Sequence, residues 1–238
     1  MPHNEFDQPV GFPVPGWTAR DRPPTTPLAG RYCQIEKLDA ERHAGNLWAA
    51  YLEASDVRGW TYLITGPFAD FEDYASEAQR MADSLDPFHY AIIDAPSGKA
   101  AGTAALMRID PPNGVIEVGG IAYSPRLQRS RAGTEAMYLL MRRAFDELGY
   151  RRYEWKCDSL NAPSRAAAER YGFRFEGLFR QAVIYKERNR DTAWYSIIDR
   201  EWPPVRAAFE KWLAPENFDA VGQQRRSLRA IRESIIGS

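Results

Sequence analysis

Three short stretches hold residue types able to do chemistry. The first is Gln128-Arg129-Ser130-Arg131-Ala132-Gly133-Thr134. It follows an apolar run, Gly114 to Tyr123, and a breaking Pro125, and it leads into a helix-period run, Ala132 to Leu148. A strand, a turn and a helix start are expected in that order. The first amides of a helix have no partner within it and carry the positive end of its dipole. Such a turn can seat a phosphate or pyrophosphate. Small residues (Ser130, Ala132, Gly133) would let a ligand reach the backbone, while Gln128, Arg129 and Arg131 would add donors and positive charge. An ordinary strand-to-helix connection with a solvated basic turn has the same residues.

The second stretch is the strand before that turn. Glu117 interrupts the apolar residues Val115, Ile116, Val118 and Ile121. A carboxylate beside apolar neighbours has a raised pKa, which suits a general base near neutrality. A structural glutamate paired with an arginine would read the same way. Gly119-Gly120 follows, and paired glycines inside a strand mark a bulge or a close backbone approach. The third stretch is Asn161-Ala162-Pro163-Ser164, where Asn161 suits an N-cap, Pro163 an early helical position and Ser164 the first turn. His43 and His89 stand apart from any Ser or Cys in a recognisable order, and ordinary polar roles are expected for them. No phosphate-binding Gly-x-x-x-x-Gly-Lys-Ser/Thr is present, and no metal-ligand cluster is seen.

These residues need a scaffold. Arg31 to Leu38 alternates as a strand, and Asp39 is placed to cap a helix through about Glu53. An aromatic loop, Trp60 to Phe68, closes on Gly66-Pro67, and a helix is expected from about Asp70 to Leu85. His89 to Asp94, Lys99 to Ile109 and Val115 to Tyr123 read as strands joined by short turns. The helix from Ala132 buries Met137, Leu140, Met141, Ala144 and Leu148. Tyr150 to Cys157 is a strand, the helix opened at Asn161 closes at Gly172, and strands Phe173 to Arg180 and Thr192 to Ile198 flank a charged hairpin, Lys186 to Asp191. The order β-α-α-β-β-β-α-β-α-β-β implies an antiparallel half and one right-handed parallel crossover at 115–157. The expected class is α/β of the mixed α+β kind, a central mixed sheet with helices on both faces.

Seven of the 17 prolines fall in residues 1–30, yet Phe6, Val10, Phe12, Val14 and Trp17 are there too. This reads as an arm lying over the domain or over a partner subunit. The domain proper is expected at 31–200 and a helical extension at 201–238, whose arginines Arg225, Arg226, Arg229 and Arg232 suit a solvated face. Lys plus Arg is 31 against 32 for Asp plus Glu, so neither nucleic acid nor a membrane surface is an expected partner. No apolar run approaches a membrane span, no signal pattern opens the chain, and two well-separated cysteines, Cys33 and Cys157, fit free thiols in a cytoplasmic location.

Gln128-Arg129-Ser130-Arg131-Ala132-Gly133, with Pro125 three residues upstream, resembles the Gln/Arg-x-x-Gly-x-Gly/Ala motif of the GNAT superfamily of N-acetyltransferases. Arg131 stands where the first glycine is usual. Thr134-Glu135-Ala136, the Glu117 context, and Asn161-x-x-Ser164 followed by Gly172-Phe173-Arg174-Phe175-Glu176-Gly177 are similar to the RimJ/RimL-like branch. The resemblance covers roughly 31–200. It implies the GNAT fold and acetyl transfer from acetyl-CoA to a primary amine (a protein N-terminus or a small amine), without a metal. It further implies that the 128–134 turn holds the pyrophosphate and that Ile121, Ala122, Tyr123 and Asn161 hold the pantetheine arm. Glu117 would be the base, and Ser164 would lie near the sulfur. Many relatives have a tyrosine as general acid where this chain has Ala168, so Ser164, or a water it holds, is the candidate proton donor. A homodimer through the arm or the C-terminal helices would fit. A non-catalytic acyl-CoA-binding module and a protein-interaction scaffold are the rival readings.

Overall fold

The computed structural model describes residues 1–237. One eight-stranded sheet organises the chain, in the order β1-β2-β3-β4-β5-β6-β8-β7. Its strands are β1 (Leu28–Ala29), β2 (Cys33–Lys37), β3 (Phe88–Asp94), β4 (Lys99–Asp110), β5 (Val115–Tyr123), β6 (Arg152–Asp158), β7 (Arg174–Tyr185) and β8 (Arg188–Ile198). All neighbours are antiparallel except β5 and β6, joined through helix α3 as the parallel crossover. The helices are α1 (Ala40–Tyr51), α2 (Phe71–Asp83), α3 (Arg131–Arg142), α4 (Ala162–Tyr171), α5 (Trp202–Leu213) and α6 (Leu228–Ile236).

The helices start where the sequence supplies caps. Asp39, Asp70, Ser130, Asn161 and Ser227 each accept an amide three residues on, which satisfies one orphan donor per helix. Alternation along the strands divides the core in two. Leu38, Leu47, Tyr74, Ala78 and Ala91 pack one sheet face against α1 and α2. The larger cluster, with Ile116, Val118, Met137, Leu140, Tyr153, Tyr195 and Phe209, packs the other face against α3, α4 and α5. Trp202 and Phe209 of α5 stack on Tyr138 of α3, so the C-terminal extension shares that core.

Two expectations need correction. The strands after α4 run on to Tyr185 and resume at Arg188, so the expected charged hairpin shrinks to a turn at Lys186-Glu187. Both turn residues have positive φ, 48° and 60°, the backbone that a two-residue hairpin demands. The helix from Ala132 does not run regularly to Leu148: past Arg142 it widens into a π-helical turn, Arg143–Glu147. The arm lacks regular structure up to Leu28 apart from an isolated bridge, His3 to Pro9. Trp17 anchors it, donating from Nε1 to the Pro112 carbonyl at 2.7 Å. Among the described residues no helix is long and apolar enough to cross a membrane.

Candidate active site

The site begins where two parallel strands part. β5 pairs with β6 only from Val115–Val118 against Arg152–Trp155. Beyond that point β5 stays with β4 as far as Tyr123, and β6 stays with β8 as far as Asp158. The backbone from Gly119 to Tyr123 therefore has no strand on its β6 side. The register with β4 shifts between Thr103 and Ala105, so β5 carries an extra residue there, and Gly120 sits at φ +56°. This is the expected bulge, and it turns the upper half of β5 away from β6. Tyr51, at the end of α1, donates its hydroxyl to the Ala122 carbonyl at 3.2 Å and fixes the bent segment from the other side.

The 128–134 turn sits at the top of this opening. Ser130 caps α3, its Oγ accepting the Gly133 amide at 2.9 Å. The amides of Arg131 and Ala132 have no acceptor among the described residues. Gln128 donates from Nε2 to the Tyr123 carbonyl at 2.9 Å, and Arg129 is exposed. Two residues of the turn make packing contacts that the sequence did not show. Gly133 is buried, and a Cβ there would lie 2.3 Å from the Leu127 carbonyl oxygen and 3.0 Å from the Tyr123 ring. Its smallness serves the packing of helix on turn. The Arg131 side chain leaves the turn and lies between the rings of Tyr32 and Phe218. Glu135, buried, accepts the amides of Arg31, Tyr32 and Cys33 at 2.6–2.9 Å and pins the β1–β2 turn beside the same helix start.

Glu117 lies at the foot of the opening, 2% exposed. The apolar setting expected from its strand neighbours is overturned. Arg108 Nη1 reaches both carboxylate oxygens at 2.9 Å, and Lys156 Nζ reaches Oε2 at 2.8 Å. The strand neighbours Ile116 and Val118 face the opposite side of the sheet, as alternation requires. Lys156 also pairs with Glu154 at 2.7 Å, and Arg152 bridges Glu154 and Glu176, giving a row of alternating charges on one face. Burial pushes the Glu154 carboxyl up, but hydrogen bonds from Lys156 and Arg152 outweigh it and leave it below the usual range. Arg108 is aimed by a kink. Its φ is +46°, and Asp86 accepts the amides of Arg108 and Ile109. The sequence reading missed Arg108, Lys156 and Tyr51. The alternation Arg152, Glu154, Lys156 on a central strand was the available signal.

Asn161 and Ser164 stand at the end of β6, across the opening from the turn. Asn161 Oδ1 accepts the Ser164 amide at 3.1 Å, so its carbonyl side acts as the N-cap. Ser164 Oγ accepts from Trp155 Nε1 at 3.1 Å and faces the Cys157 thiol, which burial pushes up. Because the indole only donates, the serine keeps its own O–H to give. Trp155 belongs to the face opposite Glu117, so base and donor candidates come from opposite sides of the sheet, joined by the gap between β5 and β6. Tyr171 is buried, stacked on Phe209 and tilted against Trp155. The aromatic loop and the β7–β8 turn meet at the rim. Lys186 Nζ donates to the Trp60 carbonyl at 2.7 Å, Arg188 to that of Thr61 at 2.8 Å, and Tyr62 to that of Leu160 at 3.2 Å. His89, buried with its Nδ1 unpartnered, lies beside Gly120. Among the described residues no group of three or more His, Cys, Asp or Glu could hold a metal ion.

Known proteins share this fold. The acetyltransferase (GNAT) domain family matches residues 34–174. A GCN5-related N-acetyltransferase structure from Brucella melitensis is 48% identical, with a TM-score of 0.90, covering 92% of this chain and 100% of that one. The Bacillus subtilis protein YdaF, named provisionally as a ribosomal N-acetyltransferase, is 30% identical over 44% of this chain; the match spans 57% of YdaF. The microcin C7 self-immunity acetyltransferase MccE, solved with acetyl-CoA and AMP, is 20% identical with a TM-score of 0.62 over 71% of this chain and 93% of that one, a likeness of fold. GNAT acetyltransferases use acetyl-CoA. The family match over more than half of the chain, together with the 48% identical structure, places this chain in the GNAT acetyltransferase family.

Proposed function

We propose that the chain moves an acetyl group from acetyl-CoA to a primary amine, a protein N-terminus or a small amine, by direct attack. One observation carries this reading: the gap between β5 and β6, with donors of a helix start on one rim and Asn161 and Ser164 on the other. Its fit to an acyl-CoA rests on amides without partners, those of Arg131 and Ala132, and on the unpaired side of Gly119–Tyr123. In this reading the turn 128–134 holds the pyrophosphate through its backbone, and Ile121, Ala122, Tyr123 and the amide side of Asn161 hold the pantetheine arm. Bound acetyl-CoA supplies the activated acyl group as a thioester.

The remaining work falls to side chains. The acceptor amine must lose a proton to attack. Glu117 is the acceptor for it, directly or through a water. Arg108, its outer partner, has a side chain 55% exposed, so an incoming amine reaches the carboxylate by displacing it. Ser164, held by Trp155 and facing Cys157, gives a proton or a hydrogen bond to the departing sulfur. The loop Trp60–Phe68 and the Lys186-Glu187 turn shape the side from which the amine enters. The test is thiol release from acetyl-CoA against a panel of small amines and peptides with free N-termini, beside calorimetry with acetyl-CoA. Amine-dependent release supports the reading. Binding without release for any acceptor leaves a non-catalytic acyl-CoA-binding module, and no binding overturns it.

A further inference from the structure

Arg131 sits at the first position of α3 with two aromatic rings against its guanidinium. It lies 4.9 Å from the Tyr32 ring centre and 4.8 Å from that of Phe218. Both rings are fixed in turn. The Tyr32 amide is held by Glu135 at 2.6 Å and its hydroxyl donates to the Leu213 carbonyl at 3.1 Å. Phe218 is buried edge-on to Trp212. Both rings are apolar surfaces against the guanidinium, so its N–H groups are its polar outlet. No hydrogen bond and no ion pair of that side chain exists among the described residues.

Arg170 of α4 converges on the same helix turn. Its Nη1 donates to Thr134 Oγ1 at 3.2 Å, and its guanidinium lies 4.9 Å from the Trp212 ring centre and 5.3 Å from that of Tyr171. It too lacks a carboxylate, whereas Arg108, Arg126, Arg152 and Arg206 each face one. Arg131 and Thr134 are three positions apart, so the two guanidinia flank one turn of α3. Arg129 is exposed beside them. Two half-buried, aromatic-clamped cations without a counterion form a receptor that a multivalent anion would complete. Phe218 and Trp212, which clamp them, both come from the segment after β8.

We propose that Arg131 and Arg170 bind a terminal phosphomonoester, the 3′-phosphate on the coenzyme's ribose, and that the C-terminal extension builds this receptor. The proposal rests on the acetyl-CoA reading above. The pyrophosphate is esterified at both ends, so each phosphorus has only two free oxygens, and the free amides of the turn serve it. A monoester presents three terminal oxygens to two forks.

The test uses the full chain and calorimetry with CoA and dephospho-CoA, which differ only in that phosphate. The wild-type protein should bind CoA at least about tenfold more tightly. In Arg131→Met and Arg170→Met, which keep an apolar stem between the rings, the ratio should fall below about threefold. Equal affinity for the two ligands in the wild-type protein overturns the receptor and leaves the cofactor reading standing. A ratio unchanged in both variants also overturns it. Failure to bind either ligand overturns the cofactor reading itself. The wild-type comparison needs no variant, so misfolding of a substituted chain does not shield the proposal.

Discussion

Glu117→Gln separates a base from a structural counterion. Glutamine keeps the shape, and its carbonyl still accepts from Arg108 or Lys156, but it cannot take a proton. The stability loss can be bounded from the neighbours. Removing one partner of a buried pair costs about 3–5 kcal/mol when the other charge is left alone. Lys156 is not left alone, since Glu154 remains at 2.7 Å, and the half-exposed Arg108 side is worth only about 0–1 kcal/mol. A loss of about 1–3 kcal/mol in urea unfolding is therefore expected. The kinetic loss should be larger. Losing a general base costs about 10²–10⁴ in rate, or roughly 2.7–5.5 kcal/mol on the barrier. Acetyl-CoA affinity should change little. Lys156→Met is the companion variant, because it breaks the same buried pair and keeps the carboxylate. Turnover with saturating acetyl-CoA would be followed for both variants across pH. The base assignment fails if folded Glu117→Gln keeps near-full turnover at pH 7, or if Lys156→Met loses as much.

Ser164→Ala should lower turnover and also destabilise by about 1–3 kcal/mol, because Trp155 Nε1 loses its acceptor; Tyr171→Phe should leave turnover intact, and loss of the alkaline limb of its pH profile would make the tyrosine the acid. Gly133→Ala gains about 1 kcal/mol in helix propensity, yet its Cβ would meet a backbone carbonyl at 2.3 Å. A net loss of about 1–3 kcal/mol is expected, and a higher urea midpoint would contradict the packing account. His89 is pushed down to about 4 by burial, then by Lys37 and Arg80, with Glu77 opposing. Its folded value lies below the unfolded 6.5, so the unfolded chain takes the proton first as pH falls. The contribution is full above pH 6.5 and is lost between 6.5 and 4, about 3 kcal/mol in all. His89→Gln should flatten that part of the stability curve in urea unfolding at pH 7 and pH 5, and an unaltered slope would remove His89 as its source.

Much of this molecule was legible in one dimension. The caps Asp39, Ser130 and Asn161, the bulge at Gly119-Gly120, the crossover at 115–157 and the turn 128–134 are local or periodic. Each follows from the backbone preferences of a few adjacent residues. The sequence alone therefore determined the order of elements, the mixed sheet and which stretches border the gap. Environment was another matter. Glu117 looked apolar because its neighbours in sequence are apolar, but alternation turns those neighbours to the other face. Its true neighbours are Arg108, delivered by a kink that Asp86 holds, and Lys156, which projects from the same sheet face of the partner strand as Glu154, the residue the parallel register sets beside Glu117. Arg131 looked like a ligand for the turn because it lies in it. Its direction was decided by Tyr32 from one end of the chain and Phe218 from the other. The physical reason is one of range. Backbone conformation is settled by residues a few positions apart, whereas the partner of a charge is settled by strand register and by loops that close over a hundred residues, and only the folded chain brings those together.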